Sequence, residues 1–178
     1  MNLDKEYDIV FTGNMGYAPN VNAAEYLAGE ILPLVQQKRP GTTLTLAGAT
    51  PHQKVQALQN EQVKVTGWVE DIRECYGKAR LFIAPMRIGT GLQNKLLEAM
   101  AMKIPSITSP LANQALNARH GEEILVGNNA EEFASLILDV LEDPSLASKL
   151  SNNGHRYIHK NYNWKAATDV LETLIVNT

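Results

Sequence analysis

Short apolar runs that alternate with longer helical segments constrain the fold of this chain more than any other feature. The first run, Ile9-Val10-Phe11-Thr12, is rich in β-branched and aromatic residues and ends at Gly13. Runs of this length between helical segments predict βαβ units, and therefore a parallel sheet with helices on both faces. By the same criteria we predict further strands at 43–47, 63–66, 81–84, 104–109 and 123–126.

The segments between these runs predict helices. Apolar residues recur at helical spacing from Val21 to Val35 and from Ala130 to Glu142. The helices after residue 130 have no strands between them, so we expect them to pack as a tail on one side of the sheet. The predicted fold is α/β, a Rossmann-like three-layer sandwich of about six parallel strands. Further helices are predicted at 51–58, 72–77, 93–102, 111–118, 144–159 and 164–176.

The composition excludes several functional classes. The chain has 178 residues, a length typical of one domain. With 16 Lys and Arg against 19 Asp and Glu, its net charge of −3 makes nucleic acid an unfavourable partner. The single cysteine, Cys75, excludes an internal disulfide and fits a reducing compartment. No apolar run reaches the roughly 18 residues of a membrane span, so we expect a cytoplasmic location.

Glycines at the ends of the predicted strands indicate where a ligand would bind. In an open parallel sheet, ligands bind outside the carboxyl ends of the strands. Gly13, Gly48 and Gly67 stand at three of these ends. One such glycine most often marks a tight turn only, but several at one edge of the sheet leave room for close approach by a ligand.

The most informative segment is the glycine loop Gly89-Thr90-Gly91 and the helix that follows it. Free N–H groups at a helix start favour a phosphate or a diphosphate. Lys95, in the first turn, opposes the helix dipole by a few tenths of a kcal/mol and so indicates an anionic ligand, with a solvated lysine as the alternative. Glu98, one turn later, is either a surface partner of Lys95 or an acceptor for vicinal hydroxyls.

Two other types of site are only weakly indicated. The spacing Gly89-x-Gly91 matches two glycines of a dinucleotide fingerprint, but Asn94 stands at the third position. Ser109 ends the next strand, where that fingerprint needs an acidic residue. His155 and His159 have a spacing that can bind zinc, but no HExxH motif accompanies them. We therefore expect neither a dinucleotide site nor a metal site.

Several motifs follow one another along the chain: Phe11-Thr12-Gly13-Asn14, Pro19-Asn20-Val21, Leu46-Ala47-Gly48, Val65-Thr66-Gly67-Trp68-Val69, Pro85 to Ala101, His120 to Val126, and Tyr162-Asn163-Trp164. Taken in this order, they resemble the C-terminal half of retaining GT-B glycosyltransferases of the glycosyl transferase group 1 type. The likeness covers nearly the whole chain and is specific as a set. The variant with Pro-Asn-Val and Gly-Thr-Gly-Leu resembles enzymes that build exopolysaccharide or lipopolysaccharide.

The resemblance implies that this half of the enzyme binds a nucleoside diphosphate sugar as donor. Glu98 matches the family residue that holds the ribose hydroxyls. The backbone N–H groups of Gly91 and Leu92 would face the diphosphate. The segment Gly67-Trp68-Val69 matches the loop that lines the base, and Gly13-Asn14 belongs to the donor side as the loop after the first strand.

Two departures from the family pattern concern charge. Thr90 stands where the family has a first glutamate, so it could hydrogen-bond the donor sugar but cannot supply a carboxylate. The loop 13–19 lacks the positive charges that many members carry there. A departing diphosphate needs stabilising charge or hydrogen-bond donors, so we expect Arg87 or Lys95 to take that catalytic role. We expect no metal or other cofactor to be required, and no catalytic base is visible.

The resemblance also sets expectations for the whole enzyme. Residues 1–178 would form a single donor-binding domain that is inactive alone, with an N-terminal acceptor-binding half outside this chain. That half would be the source of any peripheral membrane contact. The expected reaction is transfer of a sugar, with retention, to a saccharide or lipid-linked acceptor. Two alternatives stay open: a sugar-nucleotide epimerase with the GT-B fold, and a non-catalytic nucleotide-binding module, which the threonine at position 90 favours.

Overall fold

The computed structural model describes residues 4–89 and 91–162 and contains the predicted parallel sheet. Six strands run in the spatial order β3-β2-β1-β4-β5-β6, and every pair of neighbours is parallel. The predicted α/β class and strand number are therefore confirmed. The strands are β1 (Tyr7–Thr12), β2 (Leu44–Ala47), β3 (Val63–Val65), β4 (Ala79–Ala84), β5 (Ser106–Thr108) and β6 (Leu125–Val126).

The last two strands are shorter than predicted. The segment predicted to begin β5 contains Pro105, which has no N–H to give to a ladder, and the strand begins at the next residue, Ser106. Residues 121–123 form a turn, so the strand predicted at 123–126 begins only at Leu125. The amides of Glu122 and Glu123 both bond the carbonyl of Arg119, which leaves β6 only two residues long.

Helices cover both faces of the sheet. The helix predicted at 21–35 begins earlier and is interrupted by a π-helical turn at Leu27–Ile31. Pro33 follows this turn, and because proline lacks an amide hydrogen, regular α-helical bonding cannot continue through it. The helices are α1 (Ala18–Tyr26), α2 (Leu32–Lys38), α3 (Gln53–Gln56), α4 (Ile72–Lys78), α5 (Asn94–Ala101), α6 (Pro110–Leu116), α7 (Ala130–Glu142) and α8 (Pro144–Asn161).

The prediction of a one-sided helical tail is wrong. α7 packs against α2 and the π-helical turn, whereas α8 packs against α5. The chain moves across the sheet in one direction from β1 to β3 and in the other from β3 to β6, so right-handed crossovers place α2 and α5 on opposite faces. α7 and α8 therefore complete two different layers. The helix predicted to begin at Trp164 lies outside the described residues.

The core lies between the central strands and the helices on either side. β1 and β4 are neighbours at the centre of the sheet, and each ends in four consecutive buried residues. Runs of this kind are expected where both faces of a parallel strand are covered. The sheet register places Thr12 beside Ala47, so β1 and β2 end at the same level. This alignment brings the glycines that follow them together.

Candidate functional site

A cavity of about 300 Å³ lies at the carboxyl ends of the strands, beside the first turns of α5. This is the position at which open parallel sheets bind ligands. It brings together residues that are far apart in the sequence. Its lining consists of Thr12, Gly13, Asn14, Gly48, Ala49, Trp68, Val69, Ile72, Lys95 and Glu98.

Two glycines in close contact form the bottom of the cavity. Gly13 and Gly48 follow β1 and β2, and both have positive φ angles, of 151° and 143°. A Cβ atom on Gly48 would lie 1.8 Å from the carbonyl oxygen of Gly13, which no side chain allows. A Cβ on Gly13 would lie 2.7 Å from Nδ2 of Asn20. Both positions therefore require glycine for steric reasons as well as conformational ones.

Lys95 directs a cation into the cavity from the first turn of α5. Its Nζ donates to Oδ1 of Asn20 and lies 4.7 Å from the centre of the Phe11 ring. Burial lowers the pKa of Lys95 to about 8, and the nearby carboxylate of Glu98 only partly opposes this. Among the described residues Lys95 has no ion-pair partner. A desolvated ammonium held by a neutral amide has strong capacity to bind an anion.

Glu98 lies one helical turn beyond Lys95 and lines the same cavity. Its Oε2 accepts a hydrogen bond of 2.8 Å from the hydroxyl of Tyr76. Among the described residues its other oxygen makes no hydrogen bond, and the side chain is exposed at the cavity. This leaves one carboxylate oxygen available to accept from a ligand hydroxyl.

Asn14 uses its side chain to shape the loop after β1. Its Oδ1 accepts from the backbone amide of Gly16 at 2.9 Å and from the hydroxyl of Thr50 at 2.7 Å. Its carbonyl accepts from Nδ2 of Asn20 at 2.9 Å. Asn14 therefore fixes the rim of the cavity, and Asn20 links this rim to Lys95.

The loop after β3 forms the opposite rim. Trp68 is 73% exposed, and it lines the cavity together with Val69 and Ile72. Gly67 does not line the cavity, but it holds the loop in place by accepting a 3.2 Å hydrogen bond from the amide of Gly48. Its φ of 69° permits the turn that presents Trp68.

Arg87 points away from the cavity. Its guanidinium lies 4.0 Å from the centre of the Tyr26 ring, donates to Asn22 at 3.2 Å and pairs with Glu30 at 3.5 Å. It is therefore not among the cavity-lining residues. The structure brings Lys95 and Glu98 together at the cavity but leaves Arg87 against Tyr26, outside the cavity lining.

The remaining predicted residues flank the start of α5. Gly91 has a φ of 85° and open space around it, and Leu92 is 39% exposed. Both precede the first residue of α5, Asn94. Thr90 lies outside the described residues, so its predicted contact with a donor sugar stays a prediction.

A family model of the glycosyl transferases group 1 matches residues 6–143, more than half of the chain. The chain belongs to this family. The match extends from before β1 to the end of α7, so it includes the whole cavity. The Rossmann-like fold and the recognition of a group 1 glycosyltransferase domain are thereby confirmed.

Solved structures of low sequence identity share the fold of this group 1 domain. The C-terminal domain of the Francisella tularensis group 1 glycosyltransferase LpcC is 20% identical with a TM-score of 0.70, over 91% of this chain and 89% of that domain. Anabaena HepE, solved with UDP and glucose, is 16% identical with a TM-score of 0.75, over 94% of this chain and 48% of that chain. Staphylococcus aureus TarM, solved with Fondaparinux, alpha-GlcNAc-glycerol and UDP, is 16% identical with a TM-score of 0.78, over 98% and 36%.

A relative by sequence is a 44.6 kDa protein from a cps region of Klebsiella pneumoniae. It is 23% identical over 167 residues, which are 89% of this chain and 43% of the relative. The group 1 domain described here thus spans less than half of the length of that relative.

Sequence reasoning missed two residues of the site. Tyr76 lies on the buried face of α4, a position that the helical pattern assigns to the core, and nothing in the sequence distinguishes its hydroxyl from that of any core tyrosine. Asn20 lies in the first turn of α1 and is buried. A buried asparagine requires hydrogen-bond partners, but the sequence does not show that Lys95 is one of them.

Neither a metal-binding cluster nor a helix able to cross a membrane is found among residues 4–89 and 91–162. No group of three or more metal-ligating side chains occurs there. His155 and His159 have ring centres 4.2 Å apart, and Nδ1 of His155 lies 2.8 Å from the carbonyl of Ala101. Over the same residues, no helix combines the length and apolar character of a membrane span.

Proposed function

We propose that this chain is the donor-binding domain of a glycosyltransferase and holds a nucleoside diphosphate sugar in the cavity at the strand ends. The observation that carries the proposal is the convergence of Lys95 and Glu98 on one cavity, one helical turn apart. A donor of this class carries both groups that such a pair recognises, an anionic diphosphate and a ribose with vicinal hydroxyls.

Lys95 supplies the positive charge that the diphosphate needs in this proposal. Its ammonium is close to Gly13, where a Cβ atom would lie only 3.2 Å from Nζ, so a phosphate near this glycine would meet it. The N–H groups of Gly91 and Leu92 add hydrogen-bond donors in front of α5. Charge placed on a leaving diphosphate stabilises the transition state of transfer. Arg87 takes part only if its guanidinium leaves Tyr26.

Glu98 orients the ribose, and the loop from Gly67 to Val69 lies against the base. The indole of Trp68, exposed at the rim, offers an apolar face to a nucleobase. The relatives support this assignment, because HepE and TarM were both solved with UDP. The relative in a cps region supports a role in polysaccharide synthesis. The same proposal includes three further parts: transfer of the sugar with retention, a saccharide or lipid-linked acceptor, and a catalytic base in the other half of the enzyme.

The test is calorimetric titration of the chain with UDP, GDP, ADP and NAD. One nucleoside diphosphate should bind, and Glu98→Ala should weaken it by about 10-fold or more, the effect of losing hydrogen bonds to a charged group. Glu61→Ala is the matched control, because Glu61 is exposed and lies outside the cavity. The proposal would be refuted if a folded sample bound none of the four ligands, or if Glu98→Ala bound the nucleoside diphosphate as tightly as the unchanged protein.

A non-catalytic nucleotide-binding module is the second candidate, favoured by the threonine at position 90. Nucleotide binding alone does not separate the two candidates. The two candidates are separated by measuring the release of nucleoside diphosphate from the bound sugar donor in the presence of the acceptor-binding half. Turnover supports the transferase, and tight binding without turnover supports the module.

A further inference from the structure

We infer that Tyr76 is a positioning residue that aims the carboxylate of Glu98 at the ribose of the donor. This inference rests on the proposed function and adds to it a residue that does not touch the ligand. Tyr76 lies on α4 and is fully buried, yet its hydroxyl reaches the end of β1 and the first turns of α5. It therefore joins three elements at the bottom of the cavity.

Three oxygen atoms surround the Tyr76 hydroxyl. Oγ1 of Thr12 lies at 2.6 Å, Oε2 of Glu98 at 2.8 Å and the carbonyl of Lys95 at 3.3 Å. The ring itself packs against Phe82, with centres 5.6 Å apart. A large side chain packed in this way cannot change rotamer without disturbing the core, so the hydroxyl has a fixed position.

The direction of the hydrogen bonds follows from the number of protons. Tyr76 has one hydroxyl proton, which it donates to Oε2 of Glu98. Thr12 therefore donates its own proton to the oxygen of Tyr76. Burial raises the pKa of Tyr76 well above its usual range, so the hydroxyl keeps its proton at any working pH.

The consequence for Glu98 is a fixed carboxylate with one oxygen reserved for the ligand. Glu98 is exposed at the cavity and has three rotatable bonds before its carboxylate. The bond from Tyr76 holds Oε2 toward the protein. Oε1, which no described residue bonds, is then left to accept a hydrogen bond from the ligand. Without this bond the carboxylate would sample several rotamers. Ordering the carboxylate when the ribose binds would then cost conformational entropy and weaken the affinity.

The experiment compares a nucleoside diphosphate with its 2′,3′-dideoxy form, using UDP first or the base selected by titration. The ratio of the two affinities isolates recognition of the ribose hydroxyls. Tyr76→Phe should lower this ratio by about 3- to 10-fold, less than the loss of a direct hydrogen bond between ligand and carboxylate, because Tyr76 acts on the ligand only through Glu98. The affinity for the dideoxy ligand should stay within about twofold of that of the unchanged protein.

Tyr157→Phe is the matched control. The hydroxyl of Tyr157 donates to the carbonyl of Leu116 at 2.7 Å, and neither residue lines the cavity. This variant also loses a tyrosine hydrogen bond, but it should leave the ratio unchanged. If Tyr76→Phe lowered both affinities equally, or changed neither, Tyr76 would have only a structural role and the inference would be wrong.

A second measurement covers the case in which Tyr76→Phe does not fold. In the unchanged protein labelled at tyrosine Cζ, the carbon resonance of Tyr76 should shift when the ribonucleotide binds and much less when the dideoxy form binds. Equal shifts would overturn the inference while leaving donor binding intact. Absence of binding by either ligand would instead overturn the proposed function, and the inference with it.

Discussion

Two regions near the start of α5 differ in character. One, the strand-end floor of the cavity, contains Gly13, Gly48, Lys95 and Glu98. The other is the loop after β4, whose described residues 85–89 and 91–92 lie outside the cavity lining. In the floor, each functional side chain is held by a buried residue from another element, Lys95 by an asparagine of α1 and Glu98 by a tyrosine of α4. The floor is therefore preorganised before any ligand arrives.

The described residues of the loop after β4 contribute no side chain to the cavity. Ile88 and Leu92 are exposed, and the one cation of the loop, Arg87, lies against Tyr26. Arg87 and Lys95 are eight positions apart and flank the same glycine loop, yet only Lys95 lines the cavity. The comparison shows that the element carrying a residue, not its distance along the chain from a motif, decides whether the residue reaches the site.

The largest expected difference between the floor and the loop concerns their glycines. Gly48→Ala should lower the free energy of unfolding by about 3–5 kcal/mol, because the new Cβ would overlap the carbonyl of Gly13. Gly91→Ala should cost only about 1–2 kcal/mol, the penalty of a positive φ without a clash. Urea denaturation of both variants checks this. Equal losses would show that the floor is no more rigid than the loop.

The next difference concerns the two cations. Lys95→Met should weaken nucleoside diphosphate binding by about 10- to 100-fold, because a hydrogen bond to a charged group contributes about 1.5–3 kcal/mol. Arg87→Met should change it by less than about 3-fold, as expected of an exposed charge outside the cavity. Calorimetry measures both.

A control variant and a control ligand accompany this comparison of the two cations. The exposed Lys54→Met is the matched control and should bind normally. The affinity for the nucleoside without its diphosphate should not depend on Lys95. If neither Lys95→Ala nor Arg87→Ala changed donor affinity, the assignment of a cation to the diphosphate would be wrong for both residues.

The pKa of Lys95 predicts a smaller, pH-dependent effect. Burial holds this pKa at about 8, and a bound anion would raise it because it favours the charged form. Affinity should therefore be highest below about pH 8 and fall as the pH rises through that value, by up to about 10-fold per pH unit. Titration between about pH 7 and about pH 9.5 tests this. The slope should vanish in Lys95→Met, and a flat wild-type profile would contradict the prediction.

The smallest effect is expected for the stability contribution of Arg87. Arg87→Met should lower the free energy of unfolding by about 0.5–1 kcal/mol, because it loses a cation–π contact with Tyr26 and an exposed ion pair. Arg73→Met, which loses an ion pair but no ring contact, is the comparison variant. In thermal unfolding, the Tm of Arg87→Met should be lower than that of Arg73→Met. The reverse order would show that the ring contact contributes nothing.

The sequence by itself determined the parallel sheet, the edge at which the site lies and the placement of Lys95 and Glu98 one helical turn apart. Each of these depends on local periodicity: alternating strands and helices impose the sheet, and a spacing of three residues on one helix places two side chains in the same region. The glycines after β1 and β2 were also visible, although their mutual contact was not.

Only the tertiary structure decided which other side chains complete the site. Tyr76 reaches Glu98 across 22 positions of sequence because α4 packs beside β1, and Asn20 reaches Lys95 across 75. The turn of Arg87 toward Tyr26 and the distribution of α7 and α8 over two layers depend in the same way on long-range packing. Local spacing carries no information about such contacts, because the packing of whole elements against one another sets them.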